Sequence, residues 1–226
     1  MVNILLDKYL GQSSEFWHDE LKNYIAPDFK VLVIAFSFRD NRVKNLNDWE
    51  KLYGKNGSIF YNDIIKSFEE YGIPKNNIEF LNYFTDTKES AKEKILSANL
   101  LYFLGGLPDR MYDRLVEFDL IDTISKHNGI IMGYSAGAVI QLNEYHLSPD
   151  KDYPEFNYYK GIPLINDFYL EVHYTNSDVQ NKSIAKVIQE KEKSVYAIHA
   201  NDMIIVDNGN VKLFGNVKVF STIQRV

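Results

Sequence analysis

The chain has 226 residues, 45% hydrophobic and 25% charged, enough for a single α/β domain with a full core. Its formal net charge of −6 supplies no basic face, so neither nucleic-acid nor anionic-membrane binding is expected. The absence of cysteine excludes disulfides, a thiolate nucleophile and zinc–thiolate sites together.

The first residues, Met1 to Asp7, hold too short an apolar run for a signal peptide, with an acid too early. No run of about 18 apolar residues predicts a membrane span, and a cytoplasmic protein is the expectation. Residues 3–10 read as a short strand, and Phe16, Trp17, Leu21, Tyr24 and Ile25 then recur at helical spacing. Residues 30–38, apolar without a break from Val31 to Phe36, read as a buried parallel strand. Asn47 with Glu50 resembles an N-cap and its partner, and residues 58–71 form an amphipathic helix stopped by Gly72 and Pro74.

Residues 78–84 predict a strand, and Thr87 caps a helix running to about Ala98. The apolar residues 100–104 end in Gly105-Gly106, and Pro108 stands where a helix begins, with Asp109 in its first turn. Residues 143–160 are polar and aromatic without a period and read as a functional loop. Residues 167–174 predict a strand ending at His173, followed by a helix at 177–191 and a strand at 195–198. Residues 203–213 predict a hairpin turning at Asn208-Gly209. Alternating strands and helices imply a mostly parallel sheet with helices on both faces and an antiparallel hairpin near the C-terminus.

The stretch around Gly133-Tyr134-Ser135-Ala136-Gly137 carries the chemistry. An apolar run ending in Gly-x-Ser-x-Gly, with a helix-like segment after it, has the pattern of a nucleophile elbow. Gly133 and Gly137 leave room for a tight backbone reversal, and the Ala136 amide, first in its helix, is free to face an oxyanion. The plainer alternative is a serine that caps a helix. Amides of Gly106 or Leu107, at the end of the preceding strand, are candidates for the second oxyanion donor.

A serine hydroxyl needs a base within reach. Among five histidines His173 stands out, because it ends an apolar strand where reactive groups of open sheets gather. His146 and His199 rank second, His127 suits a helix C-terminus, and His18 a helix surface. The imidazole in turn needs a carboxylate. Asp150 would complete a Ser-acid-His order along the chain; Asp202, after a later strand, competes with it.

Leu104-Gly105-Gly106, Gly133-Tyr134-Ser135-Ala136-Gly137-Ala138 and Gly161-Ile162-Pro163-Leu164-Ile165 through Val172-His173-Tyr174 together resemble the peptidase E family of serine peptidases. The resemblance covers about residues 30–215. It implies the class I glutamine amidotransferase-like fold, a Ser135 nucleophile, a His173 base, and hydrolysis of short peptides with an acidic N-terminal residue, without metal or cofactor. Three features depart from it. Where the family has a glutamate after the late strand, this chain reads Ile198-His199-Ala200-Asn201-Asp202, although Asp150 falls where the family has another important aspartate. The family's substrate-binding arginine is replaced around Gln180-Asn181-Lys182, leaving Gln180 and Lys182 as the substrate-binding candidates there. The polar residue that usually follows the glycines is missing at Leu107-Pro108. These departures keep a second reading open, a catalytically weak relative that binds a small ligand or a protein partner. No nucleotide-binding glycine pattern accompanies Gly105-Gly106. Tyrosines crowding residues 145–174 are compatible with a homodimer contact.

Overall fold

In the computed structural model, which describes residues 1–56 and 58–221 apart from the side chains of Ser14 and Ile59, the apolar runs become strands and the amphipathic segments become helices. The chain begins β1 (Val2–Leu6), α1 (Leu10–Leu21), β2 (Val31–Ile34), α2 (Leu46–Tyr53), α3 (Ile59–Glu69), β3 (Ile78–Leu81) and α4 (Lys88–Ser97). It continues through β4 (Leu100–Phe103), α5 (Pro108–Glu117), α6 (Ile121–Ser125), β5 (Ile130–Tyr134), α7 (Ala136–Val139), β6 (Glu144–Leu147) and β7 (Asn157–Lys160). Last come β8 (Phe168–Glu171), α8 (Asp178–Lys191), β9 (Ser194–Ala197), β10 (Met203–Asp207), β11 (Asn210–Phe214) and β12 (Lys218–Phe220).

Seven strands make the central sheet in the order β11-β10-β1-β5-β4-β2-β3. From β1 to β3 all neighbours are parallel, and β10 and β11 extend the β1 edge antiparallel. Side chains of a strand alternate between faces, so one strand feeds two cores. Leu5, Ile34, Phe103 and Ile131 pack with Ile95 of α4, Leu115 of α5 and Val139 of α7. Ile4, Leu6, Val33 and Tyr102 pack with Leu10 of α1, Trp49 of α2 and Phe68 of α3. This is the mostly parallel sheet with helices on both faces, and the β10–β11 hairpin turns at Asn208 and Gly209 with positive φ of 47° and 83°.

Four expectations change. The N-cap of α2 is Asn45, whose side chain accepts from the Asp48 amide, rather than Asn47. Residues 143–160 are not all loop: Tyr145 and His146 are buried, and β6 pairs with β7 antiparallel, leaving 148–156 as the connection. The strand leading to His173 is not in the central sheet. It is β8, which pairs parallel with β9 in a three-stranded sheet closed by β12. His127 lies beyond α6 and is buried, and burial holds its imidazole below the ordinary value, so it is no charged complement to a helix end.

Candidate active site

The strand order decides what meets at the carboxyl edge of the sheet. β1, β5 and β4 are neighbours, with Leu6 opposite Tyr134 and Phe103 opposite Gly133. The residues just past these ends, Asp7, Ser135 and Gly105-Gly106, are therefore brought to one rim although they are far apart in the chain. The Ser135 amide donates to Leu6 O at 3.0 Å, stitching two of those ends together.

Ser135 has φ 52° and ψ −115°, a backbone conformation that a non-glycine residue adopts only at a cost of about 1–3 kcal/mol. The surrounding packing holds it there. A Cβ on Gly133 would run into the carbonyl of Gly137, and one on Gly137 into the carbonyl of Phe103. Both glycines are needed because α7 reverses directly onto the ends of β5 and β4.

His173 follows β8 at a positive φ of 53°. Its turn is pinned on both sides. Tyr174 N donates to Ile198 O, and the Gln180 side chain donates to His173 O while accepting from Thr175 and Ser177. The imidazole Nε2 lies 2.7 Å from Ser135 Oγ. On its other side Nδ1 lies 3.0 and 3.1 Å from the two carboxylate oxygens of Asp7, and the His173 backbone N–H donates to Asp7 as well. The Asp7 side chain is 1% exposed. With Nδ1–H donating to that carboxylate, Nε2 is left as the acceptor for the serine hydroxyl.

Neither carboxylate expected from the sequence touches His173. Asp202 is engaged elsewhere: it accepts from the backbone amides of His199 and Asn216 and from His199 Nδ1. Asp150 turns back on its own loop, accepting from the amides of Asp152 and Tyr153 at 2.8 Å, although it lines the cavity at Ser135. The sequence carries one signal for Asp7, an acid that ends an apolar run just before a turn.

That cavity, of about 280 Å³, is bounded by Ser135, Gly106, Pro108 and Ala136 on one side and residues 150–153 on the other. Gly106 has φ 141°, and a Cβ there would collide with the Ser37 carbonyl. The amide of Leu107 is already donated to Ser37 O at 2.8 Å, so it is not available to an oxyanion. Gly106 and Ala136 both line the cavity, and Ala136, first residue of α7, has no intrahelical acceptor for its N–H. The connection over the cavity is fastened by a two-point Arg39–Asp152 ion pair and by Tyr153 donating to Asp109. Arg39 holds the Asp152 carboxyl below its usual range, and burial together with Asp109 pushes the Tyr153 phenol up.

Of the substrate-binding candidates, Gln180 lines a second cavity beside His173 but spends its amide on the His173 turn. Lys182 is exposed and lines neither cavity. Among the described residues no three His, Asp or Glu side chains are grouped to hold a metal ion.

A serine hydroxyl, an imidazole and a buried carboxylate in one hydrogen-bonded row at the edge of a parallel α/β sheet define a serine-hydrolase type of site. The chain belongs to peptidase family S51, whose sequence pattern residues 57–214 match, and is a serine-type peptidase. Two solved structures share the fold. A candidate peptidase E of Listeria monocytogenes EGD-e is 16% identical with a TM-score of 0.58, covering 97% of this chain and 98% of its own. A peptidase from an acI-B1 Actinobacterium is 19% identical with a TM-score of 0.61, over 97% and 89% of the two chains. No curated protein sequence matches this one significantly. Among the described residues no helix is long and apolar enough to cross a membrane.

Proposed function

We propose that the protein hydrolyses short peptides, with Ser135 as nucleophile, His173 as general base and acid, and Asp7 as the carboxylate that orients the imidazole. The observation that carries this reading is the 2.7 Å contact between Ser135 Oγ and His173 Nε2, backed by Asp7 on Nδ1. Ser135 Oγ attacks the scissile carbonyl carbon as its proton passes to His173 Nε2. The resulting imidazolium is stabilised by the Asp7 carboxylate, which keeps its charge throughout. The oxyanion is received by the amides of Ala136 and Gly106. On collapse the C–N bond breaks and His173 returns its proton to the leaving amine. A water, deprotonated by the same imidazole, then hydrolyses the acyl-serine. Asp150 caps the connection over the site, Gln180 braces the turn that presents His173, and no metal or cofactor is called on.

The reading as a non-catalytic binding protein rests on the changed acid and arginine positions, and the Asp7 contact speaks against the first of these. A fluorophosphonate probe tests the proposal. It should label the wild-type chain, lose its target in Ser135→Ala, and react far more slowly with His173→Ala. Equal labelling of wild type and Ser135→Ala would overturn it.

A further inference from the structure

The second cavity, also about 280 Å³, adjoins the first and shares Ser148, Asp150 and His173 with it. Its floor is unusual. Glu171 lines it, with its side chain only 6% exposed, and Glu171 Oε2 accepts from His146 Nε2 at 2.7 Å and from Ser148 Oγ at 2.8 Å. Glu171 Oε1 has no hydrogen bond among the described residues. His146 is fully buried, and its Nδ1 has no partner. The pair is therefore joined through Nε2 and Oε2 alone, and Glu171 Oε1 is left to the cavity. Asp150 adds a second carboxylate to the wall, and among the described residues no lysine or arginine lines this cavity; Lys151 belongs to the neighbouring one.

A buried carboxylate with one unpaired oxygen, in a cavity that His173 lines and no lysine or arginine enters among the described residues, is a receptor for positive charge. We infer that this cavity binds a cationic group of the peptide next to the scissile bond, an ammonium or guanidinium, with Glu171 as the specificity-determining residue. The inference rests on the hydrolase reading above and sharpens it: an acidic residue at this position would face two carboxylates, so the acidic-residue preference implied by resemblance is reversed here. The cation has two possible sources, a basic side chain or the peptide's own amino terminus.

The test compares kcat/KM of the full chain on lysyl-, leucyl- and aspartyl-7-amido-4-methylcoumarin and on the N-acetylated lysyl and leucyl forms. A basic side chain as the source gives lysyl over leucyl by about tenfold or more, retained after acetylation. The amino terminus as the source gives a loss of similar size on acetylating the leucyl substrate. In either case Glu171→Gln should shrink that advantage about tenfold. A preference for the aspartyl substrate, indifference to both ammonium groups, or an advantage unchanged in Glu171→Gln would overturn the inference. Calorimetric titration of Ser135→Ala with pentylamine and its uncharged counterpart pentanol reads the cavity without turnover and without altering Glu171. Tighter binding of the amine by tenfold or more supports the inference, and equal binding overturns it. This outcome stands even if no amide is cleaved, whereas failure of probe labelling at Ser135 sinks the hydrolase reading alone.

Discussion

Among the described residues three histidines hydrogen-bond a carboxylate, and one of these pairs faces a serine hydroxyl. His173–Asp7, His146–Glu171 and His199–Asp202 have similar N···O distances of 3.1, 2.7 and 2.9 Å. They differ in what the second ring nitrogen and the carboxylate have left over. In the first, the half-exposed imidazole keeps Nε2 for Ser135, and the carboxylate is buried and aimed at the ring. In the second, the ring is sealed in the interior, its remaining nitrogen meets nothing, and the carboxylate instead keeps an oxygen spare. In the third, Asp202 is saturated by backbone amides, so it caps the turn before β10 and the ring packs edge-on to Tyr174. A His–acid contact is thus not a catalytic signature by itself. The groups that remain unsatisfied after the pair has formed decide what it can do.

The largest effect that could break this comparison is loss of the nucleophile. Ser135→Ala should reduce kcat on the order of 10⁴–10⁶-fold, measured on whichever dipeptide amide the wild type cleaves best. Next comes the exchange of acids. Asp7→Asn should cost about 10⁴ in kcat, because the amide can hold the imidazole in the wrong tautomer. Asp202→Asn should leave kcat within about threefold but lower unfolding free energy by about 1–3 kcal/mol in urea titration, since buried amide donors lose a charged acceptor. The reverse pattern would assign the triad acid to Asp202.

Gly106→Ala should lower kcat about 10²-fold with little change in KM, as the strained loop shifts an oxyanion donor away from the cavity. The smallest effect concerns His127. Burial holds its native proton affinity below that of the unfolded chain, so the unfolded state gains the proton first as pH falls through about 6.5. Stability from this group is complete above that pH and declines below it, by at most about 1.4 kcal/mol per pH unit. His127→Phe should flatten that part of the curve of unfolding free energy against pH.

Much of this was legible along the chain. Apolar runs of strand length separated by amphipathic segments are local patterns, and so is Gly-x-Ser-x-Gly, whose small residues report a backbone reversal that a Cβ would block. His173 was legible for the same reason, as a polar residue closing a buried strand. The hairpin β6–β7 was not, because aromatic residues such as Tyr158 and Tyr159 carry no clear alternation when both sides of the ribbon are partly covered. Asp7 as the carboxylate beside His173 was not legible, because Asp150 completes a Ser-acid-His order along the chain and Asp202 follows a later strand, while Asp7 precedes Ser135 by more than a hundred residues.

The amino-acid sequence by itself determined the elements, the two-faced apolar patterning, the serine at its turn and the histidine at its strand end, since each depends on neighbours within a few residues. The tertiary structure alone decided that β1 lies against β5, and with it that Asp7 reaches His173. Strand order is set by the packing of both faces of the sheet at once, a global balance of buried area that no local spacing encodes. The same holds for the two cavities: which carboxylates are consumed by backbone amides and which are left facing a substrate is known only when every donor nearby has its partner.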